Sequence, residues 1–128
     1  ENTERPQLFI GSGVGMTPLV SMFKKAASLN VPTQMIQAVV TEDERPFAQK
    51  LDSITDNYEQ AQLHLHVKDK EGYLEAKELE QYLSEQPEIY ICGGTKFLHS
   101  IINSLKELNY DMNHVHFETF IPRLSVQV

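Results

Sequence analysis

Two short apolar runs in this chain stop abruptly at glycine clusters, and each is followed by a stretch with helical apolar spacing. Leu8-Phe9-Ile10 runs into Gly11-Ser12-Gly13-Val14-Gly15, and Ile89-Tyr90-Ile91-Cys92 runs into Gly93-Gly94. An apolar run of this length bounded by turn residues reads as a buried strand, and the spacing that follows reads as an amphipathic helix. After the first cluster, Leu19, Met22, Phe23 and Ala26 predict a helix over 18–29, with Thr17 as its cap and Pro18 in its first turn. Asn30 and Pro32 end it. After the second, Phe97, Leu98, Ile101, Ile102, Leu105 and Leu108 trace one stripe. Between these units, 34–40 reads as a strand, 44–52 as a short helix carrying Phe47, Ala48 and Leu51, and 63–67 as a half-buried strand of period two. Gly72 marks a loop, 75–84 a helix with Leu79, Tyr82 and Leu83 on one face, and 114–118 a fifth strand with Val115 and Phe117 inward. Strands alternating with helices require a parallel sheet covered on both faces, so residues 1–128 predict one α/β three-layer sandwich with a five-stranded parallel sheet.

Composition narrows the function classes. With 18 acidic and 11 basic residues among 128, the net charge of −7 disfavours binding to a phosphate backbone, so no nucleic-acid partner is expected. No apolar stretch reaches the ~18 residues of a membrane span, and the opening residues lack a signal-peptide pattern. A single cysteine, Cys92, can neither close an internal disulfide nor hold an iron–sulfur cluster. This usage fits a cytoplasmic protein. No internal repeat or low-complexity tract is present. The chain does not begin with Met, which suggests a piece of something longer.

The segment Gly11-Ser12-Gly13-Val14-Gly15-Met16-Thr17-Pro18 carries the most chemistry. Glycines let a backbone approach a ligand closely, and the following helix presents free N–H groups and a positive dipole end, a recipe for holding a pyrophosphate. The spacing is neither the G-x-G-x-x-G of the dinucleotide fingerprint nor a P-loop, and the same glycines are compatible with a tight structural turn. Cys92-Gly93-Gly94-Thr95 repeats the arrangement of strand, glycines and helix start. If the first and fourth strands are neighbours where the winding direction reverses, both loops face one crevice.

These residues resemble a known family. Gly13-Val14-Gly15-Met16-Thr17-Pro18 is similar to the G-x-G-x-T-P motif of the nicotinamide-nucleotide domain of the ferredoxin–NADP reductase superfamily. Cys92-Gly93-Gly94 matches its C-G-P/G motif, and His116-Phe117-Glu118-Thr119-Phe120 with Pro122 resembles its C-terminal E-x-F signature. The resemblance covers essentially the whole chain. Within the superfamily, the segment 114–126 and the run Tyr90 to Leu98 are most similar to bacterial flavohaemoglobins, the nitric oxide dioxygenases.

The resemblance implies a Rossmann-like sheet of order 3-2-1-4-5, preceded in the parent by a flavin barrel and a globin. It implies that NAD(P)H binds this domain and passes hydride to FAD, held mainly outside this segment. The flavin then reduces a haem, present only in the parent, where nitric oxide and dioxygen become nitrate. By motif, Gly11, Ser12, Gly13, Val14, Gly15, Thr17 and Pro18 line the pyrophosphate and nicotinamide-ribose side, and Gly93, Gly94, Thr95 and Phe97 the second loop. Cys92 lies near the nicotinamide ring as a spacer rather than a nucleophile. Glu118 sits at the nicotinamide–flavin edge, and Phe120 packs on a ring face or simply in the core. The isolated chain is expected to be inactive. A globin-free ferredoxin or oxygenase reductase and a non-catalytic nucleotide-binding module are the alternatives. A phosphorelay receiver needs an acidic pair after the first strand, and a flavodoxin-like domain a Ser/Thr-rich loop there. Neither is present.

NADPH-preferring members place an Arg just after the second strand, where Val40 stands here, followed by Thr41, Glu42, Asp43 and Glu44. Carboxylates repel a 2′-phosphate and accept bonds from ribose hydroxyls, so NADH is favoured and Thr41 joins the cofactor-binding set, with Arg45 as counter-evidence. The pairs His64/His66 and His114/His116 lie on strands at opposite edges of the implied order, roughly 19 Å apart, with no evident third ligand. They read as solvated edge histidines, His99 as an unremarkable helix residue, and no metal site is predicted.

Overall fold

A computed structural model describes residues 5–13 and 16–119. Five parallel strands form one sheet of order β3-β2-β1-β4-β5: β1 (Gln7–Ser12), β2 (Thr33–Val39), β3 (Ala61–Val67), β4 (Glu88–Gly93) and β5 (Val115–Thr119). The order reverses between β1 and β4, the two strands that run into glycine loops. Their registers align Gly11 with Cys92 and, on the next pair, Cys92 with Glu118.

Period two along each strand divides the core between two faces. On one, Phe9, Met35, Ala61 and Cys92 pack against α1 (Met16–Ser28) and α2 (Ala48–Asn57). On the other, Leu8, Ile10, Ile36, Ile89, Ile91 and Val115 pack against α5 (Thr95–Glu107) and Leu79 of α4 (Ala76–Glu80). A short α3 (Lys68–Glu71) leads from β3 into this second layer. Helices α1 and α5 both stop at an asparagine of positive φ, Asn30 and Asn109. The next N–H bonds back five residues, Val31 to Ala26 and Tyr110 to Leu105, satisfying carbonyls that the helix leaves open.

Several elements differ from the sequence expectation. Helix α1 begins at Met16, so Thr17 lies inside its first turn instead of capping it, and Pro18 is third in that turn, where a missing N–H still costs no bond. The helix expected over 44–52 starts only at Ala48, because Pro46 and the left-handed Phe47 (φ 61) delay it; it runs on through Ile54, which is buried. The helix expected over 75–84 closes after five residues. Beyond it Tyr82 and Leu83 bond three residues back, to Leu79 and Glu80, in turns that still press both side chains on the core. Phe117, expected inward, is 57% exposed. It pairs with Ile91 on the α5 face, but β5 is the edge strand and lies at the margin of what α5 covers.

Candidate functional site

The parity of the strands decides what each glycine does. Gly11 faces α1, and a methyl there would lie 2.6 Å from the Met16 sulfur and 2.8 Å from Leu19. Gly93 faces α5, and its methyl would meet Phe97 at 2.7 Å and the Ser12 hydroxyl at 2.8 Å. Both are glycine because helices sit tightly on the strand ends. Gly13 has a φ of +54, which L side chains rarely adopt. Gly94 is different: its φ of −71 suits any residue, and a methyl there would meet nothing within 4 Å. It stands at the start of α5 beside exposed Thr95 and Lys96, where the helix leaves backbone donors unpaired.

A cleft of about 750 Å³ opens beyond the carboxyl ends of the strands on the α5 side. Its floor includes Ser12, Ala38 and His66, one register row across β1, β2 and β3. Gly13, Lys96 and Phe97 line the end near the reversal; Val40, Glu44, Lys68 and Tyr73 line the other. Val40 and Tyr73 are large apolar surfaces left 49% and 67% exposed. The Lys68 ammonium lies 4.6 Å over the Tyr73 ring. Planar, apolar and cationic groups gathered in a cleft of this size suit a nucleotide.

Cys92 and Glu118 lie on the opposite face, the α1 side, in the row Gln37–Gly11–Cys92–Glu118. Cys92 is 5% exposed, and burial, with a smaller contribution from the Glu118 charge, pushes its thiol above the usual range. A protonated, enclosed thiol is a poor nucleophile, which accords with a spacer. Glu118 is exposed. One row earlier, Phe9, Tyr90 and His116 stack across β1, β4 and β5, with centroid separations of 5.3 and 4.8 Å. The predicted residues therefore divide. Ser12, Gly13 and Phe97 meet in the cleft and Gly93 packs beneath Phe97. Cys92 and Glu118 meet on the other face. Thr41 is not among the cleft-lining residues, although its neighbour Val40 is. Thr17 and Pro18 sit in the first turn of α1. Val14, Gly15 and Phe120 lie outside the described residues.

The acidic stretch after β2 is less uniform than its sequence implies. Glu42 is paired with Lys70 at 2.9 Å, and only Glu44 of the three carboxylates lines the cleft. Arg45 is held away by Asp52 at 3.1 Å and by the Gln37 side-chain oxygen at 3.3 Å. Sequence reasoning missed Lys68, Tyr73, Lys96 and His66. Their segments carry no motif, and only the exposed aromatic next to Gly72 offered a signal. Of the edge histidines expected to be solvated, His116 is exposed, whereas His66 and His64 are not. His66 is 7% exposed and bonded to the Gly72 carbonyl, and His64 is half-buried against Tyr82 and Gln34. His114 and His116 share one acceptor, Glu88, at 3.1 and 2.5 Å. Burial alone would raise the Glu88 pKa, but these hydrogen bonds and the imidazole charges bring it below the usual value. Among the described residues, no cluster of three His, Cys, Asp or Glu side chains is arranged to hold a metal, and no helix is long and apolar enough to cross a membrane.

A cleft at the reversal point of a parallel sheet, flanked by two strands that run into glycine loops, suits a dinucleotide. Residues 9–102 match the oxidoreductase NAD-binding domain family. The chain belongs to that family. It is 27% identical to flavohemoprotein B of Dictyostelium discoideum over 98% of its own length and 33% of the relative's. It is 28% identical to a glycine betaine monooxygenase reductase subunit of Chromohalobacter salexigens, over 88% of this chain and 34% of that one. The chain thus spans about a third of these relatives. Its fold matches the flavohem-like FAD/NAD-binding domain of nitric oxide dioxygenase from Vibrio cholerae, with a TM-score of 0.82 and 24% identity, covering 95% of this chain and 54% of that one.

Proposed function

We propose that this domain holds NAD(P)H across the carboxyl end of its sheet, with the adenosine half in the α5-side cleft and the nicotinamide beside Cys92 and Glu118. The observation that carries the reading is Gly94, where a methyl at the start of α5 would meet nothing within 4 Å, and the dinucleotide is proposed to cross the end of the sheet over it. Gly13 and Lys96 border that path. Cys92 fills space beneath the ring as a neutral thiol, and Glu118 offers an acceptor at the edge of β5. Gly11, Ser12, Val14, Gly15, Thr17, Pro18, Thr41, Gly93, Thr95 and Phe97 complete the proposed binding set, with Phe120 against a ring.

In the parent reaction NAD(P)H supplies hydride to FAD, and the flavin reduces the haem that converts nitric oxide and dioxygen to nitrate. The residues described here fit that role as a donor site. Its exposed Glu118 edge suits apposition of a flavin domain of the same parent chain, with a globin beyond. The similarity to a monooxygenase reductase subunit supports a second reading, a globin-free oxygenase reductase, in which this domain does the same work. A non-catalytic nucleotide module would leave Glu118 without a task. The parent protein is proposed to be cytoplasmic.

NADH is the proposed donor over NADPH, because Glu44 faces the cleft and Arg45 is engaged by Asp52. Titration of the chain with both nucleotides tests this. Tighter binding of NADH supports it, whereas a clear NADPH preference reverses it and points to Lys68 as the 2′-phosphate partner. Absence of binding by either refutes the domain's proposed role.

A further inference from the structure

We propose that His66 is the positioning residue for the adenosine end of the cleft. This rests on the dinucleotide reading above and goes beyond it by naming what holds the cleft's outer wall. That wall is the segment 68–74, which supplies Lys68 and Tyr73 to the cleft. The core holds it at its far end, where Leu74 is buried in the α5-side cluster. Tyr73 is 67% exposed, and α3 buries no residue.

The rest of its anchorage is polar. The Nε2 of His66 lies 2.9 Å from the Gly72 carbonyl. A carbonyl only accepts, so this nitrogen carries the hydrogen. The Glu71 carboxylate accepts from the Val67 N–H at 3.0 Å, and the Asp69 N–H donates to the Val40 carbonyl at 3.0 Å. At Gly72 the chain leaves α3 with a φ of +79, while a methyl there would meet nothing within 4 Å. The glycine is therefore required by the turn and not by crowding. That turn sends Tyr73 back towards the cleft, beneath the Lys68 ammonium.

His66 is one of only a few buried polar side chains among the described residues, at 7% exposure, and it also lines the cleft floor. Its imidazole thus joins the floor to the turn that aims the wall. Without the imidazole, the Gly72 carbonyl loses its partner and Glu71 a 3.6 Å contact, and the remaining ties, the Glu71–Val67 and Asp69–Val40 bonds, the Lys70–Glu42 pair and buried Leu74, flank the turn without fixing it, so Tyr73 and Lys68 lose their fixed placement. The contribution falls on the adenosine half of the ligand alone, because the nicotinamide half lies on the other face of the sheet.

The test compares His66→Leu, which cannot donate, with His66→Gln, whose amide nitrogen can. ADP-ribose and nicotinamide mononucleotide are titrated separately into each chain by calorimetry. His66→Leu is expected to weaken ADP-ribose about fivefold, the worth of one hydrogen bond, and to leave nicotinamide mononucleotide within about twofold. His66→Gln is expected to restore ADP-ribose to within about twofold of the parent chain. Wild-type ADP-ribose affinity in a folded His66→Leu chain, equal loss in both variants, or equal loss of both ligands overturns the assignment. Should His66→Leu fail to fold, two measurements remain: Tyr73→Ser at an exposed position must weaken ADP-ribose, and nitrogen NMR of the parent chain must show a protonated Nε2. Undiminished binding in Tyr73→Ser or a bare Nε2 overturns the proposal. If the parent chain binds no ADP-ribose, the dinucleotide reading falls and the assignment with it; binding unaffected by the variants removes only the assignment.

Discussion

Adjacent glycines at the end of β4 make opposite demands, and alanine at each separates packing from ligand access. At Gly93 the new methyl would sit 2.7 Å from Phe97 and 2.8 Å from the Ser12 hydroxyl. The hydroxyl can rotate, but the Phe97 ring is seated against the α5-side core, so Gly93→Ala forces an overpacked strand end. Overpacking of this kind costs about 1–3 kcal/mol. For a domain of this size each kcal/mol lowers Tm by about 4 °C, so the expected drop is about 4–12 °C. At Gly94 the φ of −71 and the open Cβ direction remove both penalties. Alanine caps a helix less well than glycine but restricts the unfolded chain, and these effects nearly cancel, leaving Tm within about 2 °C. Binding reverses the order. A methyl at Gly94 points into the proposed path of the pyrophosphate and is expected to weaken NADH at least about tenfold, ~1.4 kcal/mol. Thermal unfolding and NADH fluorescence titration on the two variants supply the readouts. An unchanged NADH affinity in Gly94→Ala would refute the crossing, and an unchanged Tm in Gly93→Ala would refute the packing argument.

Other expectations follow from the same geometry. Phe23 is fully buried against Phe9, so Phe23→Ala is expected to cost about 3–5 kcal/mol, read as a lowered denaturant midpoint. Glu88 has a folded pKa below the usual glutamate value, so the stability it contributes is complete above the usual value and is lost as pH falls through the depressed one. Glu88→Gln is therefore expected to be less stable at neutral pH and to lose less stability on acidification, and parallel acid titrations for both chains would contradict this. Cys92, buried with a raised pKa, is expected to resist a thiol reagent at neutral pH until the chain unfolds. Rapid labelling of the native protein would remove the spacer assignment. The chain alone is expected to be colourless and without NADH oxidase activity, and purification with stoichiometric FAD would contradict that.

The features legible in the sequence are those with local causes. The glycine-ended strands, the α5 stripe from Leu98 to Leu105 and the alternation that forces a parallel sheet are all visible in spacing. Helix α4 was overread because Tyr82 and Leu83 keep an apolar helical spacing while the backbone has already tightened into turns; burial and helix are different facts. The cleft wall at 68–74 was invisible because its form depends on tertiary bonds from His66 and Val40, which no periodicity announces. His66 shows the same limit: an edge strand reads as a solvated one, but the chain turns back at Gly72 and leaves this side chain 7% exposed. The charge argument for NADH counted three carboxylates in sequence, whereas side-chain pairing leaves one on the cleft.

The division of the site between two faces follows from parity, and it changes what the run Cys92-Gly93-Gly94 achieves. Consecutive strand residues point to opposite faces, so Cys92 must lie on the α1 side if Gly93 lies on the α5 side. Gly94 then falls where the chain leaves the sheet, between the two. A ligand held by all three must pass over the sheet's end, with its ends on different faces. This explains why two structural glycines and one open glycine stand within the reach of β1 and β4. It also separates the properties that a variant is expected to alter: in the proposed binding mode the α5-side residues Lys68, Tyr73 and Glu44 select which dinucleotide is retained, while Cys92 and Glu118 set where its nicotinamide faces. Substitutions confined to the first group are therefore expected to change affinity without changing hydride delivery once the site is saturated, measured as a raised KM at constant kcat in the flavin-loaded parent. A fall in kcat from Tyr73→Ser would show that the two faces are coupled.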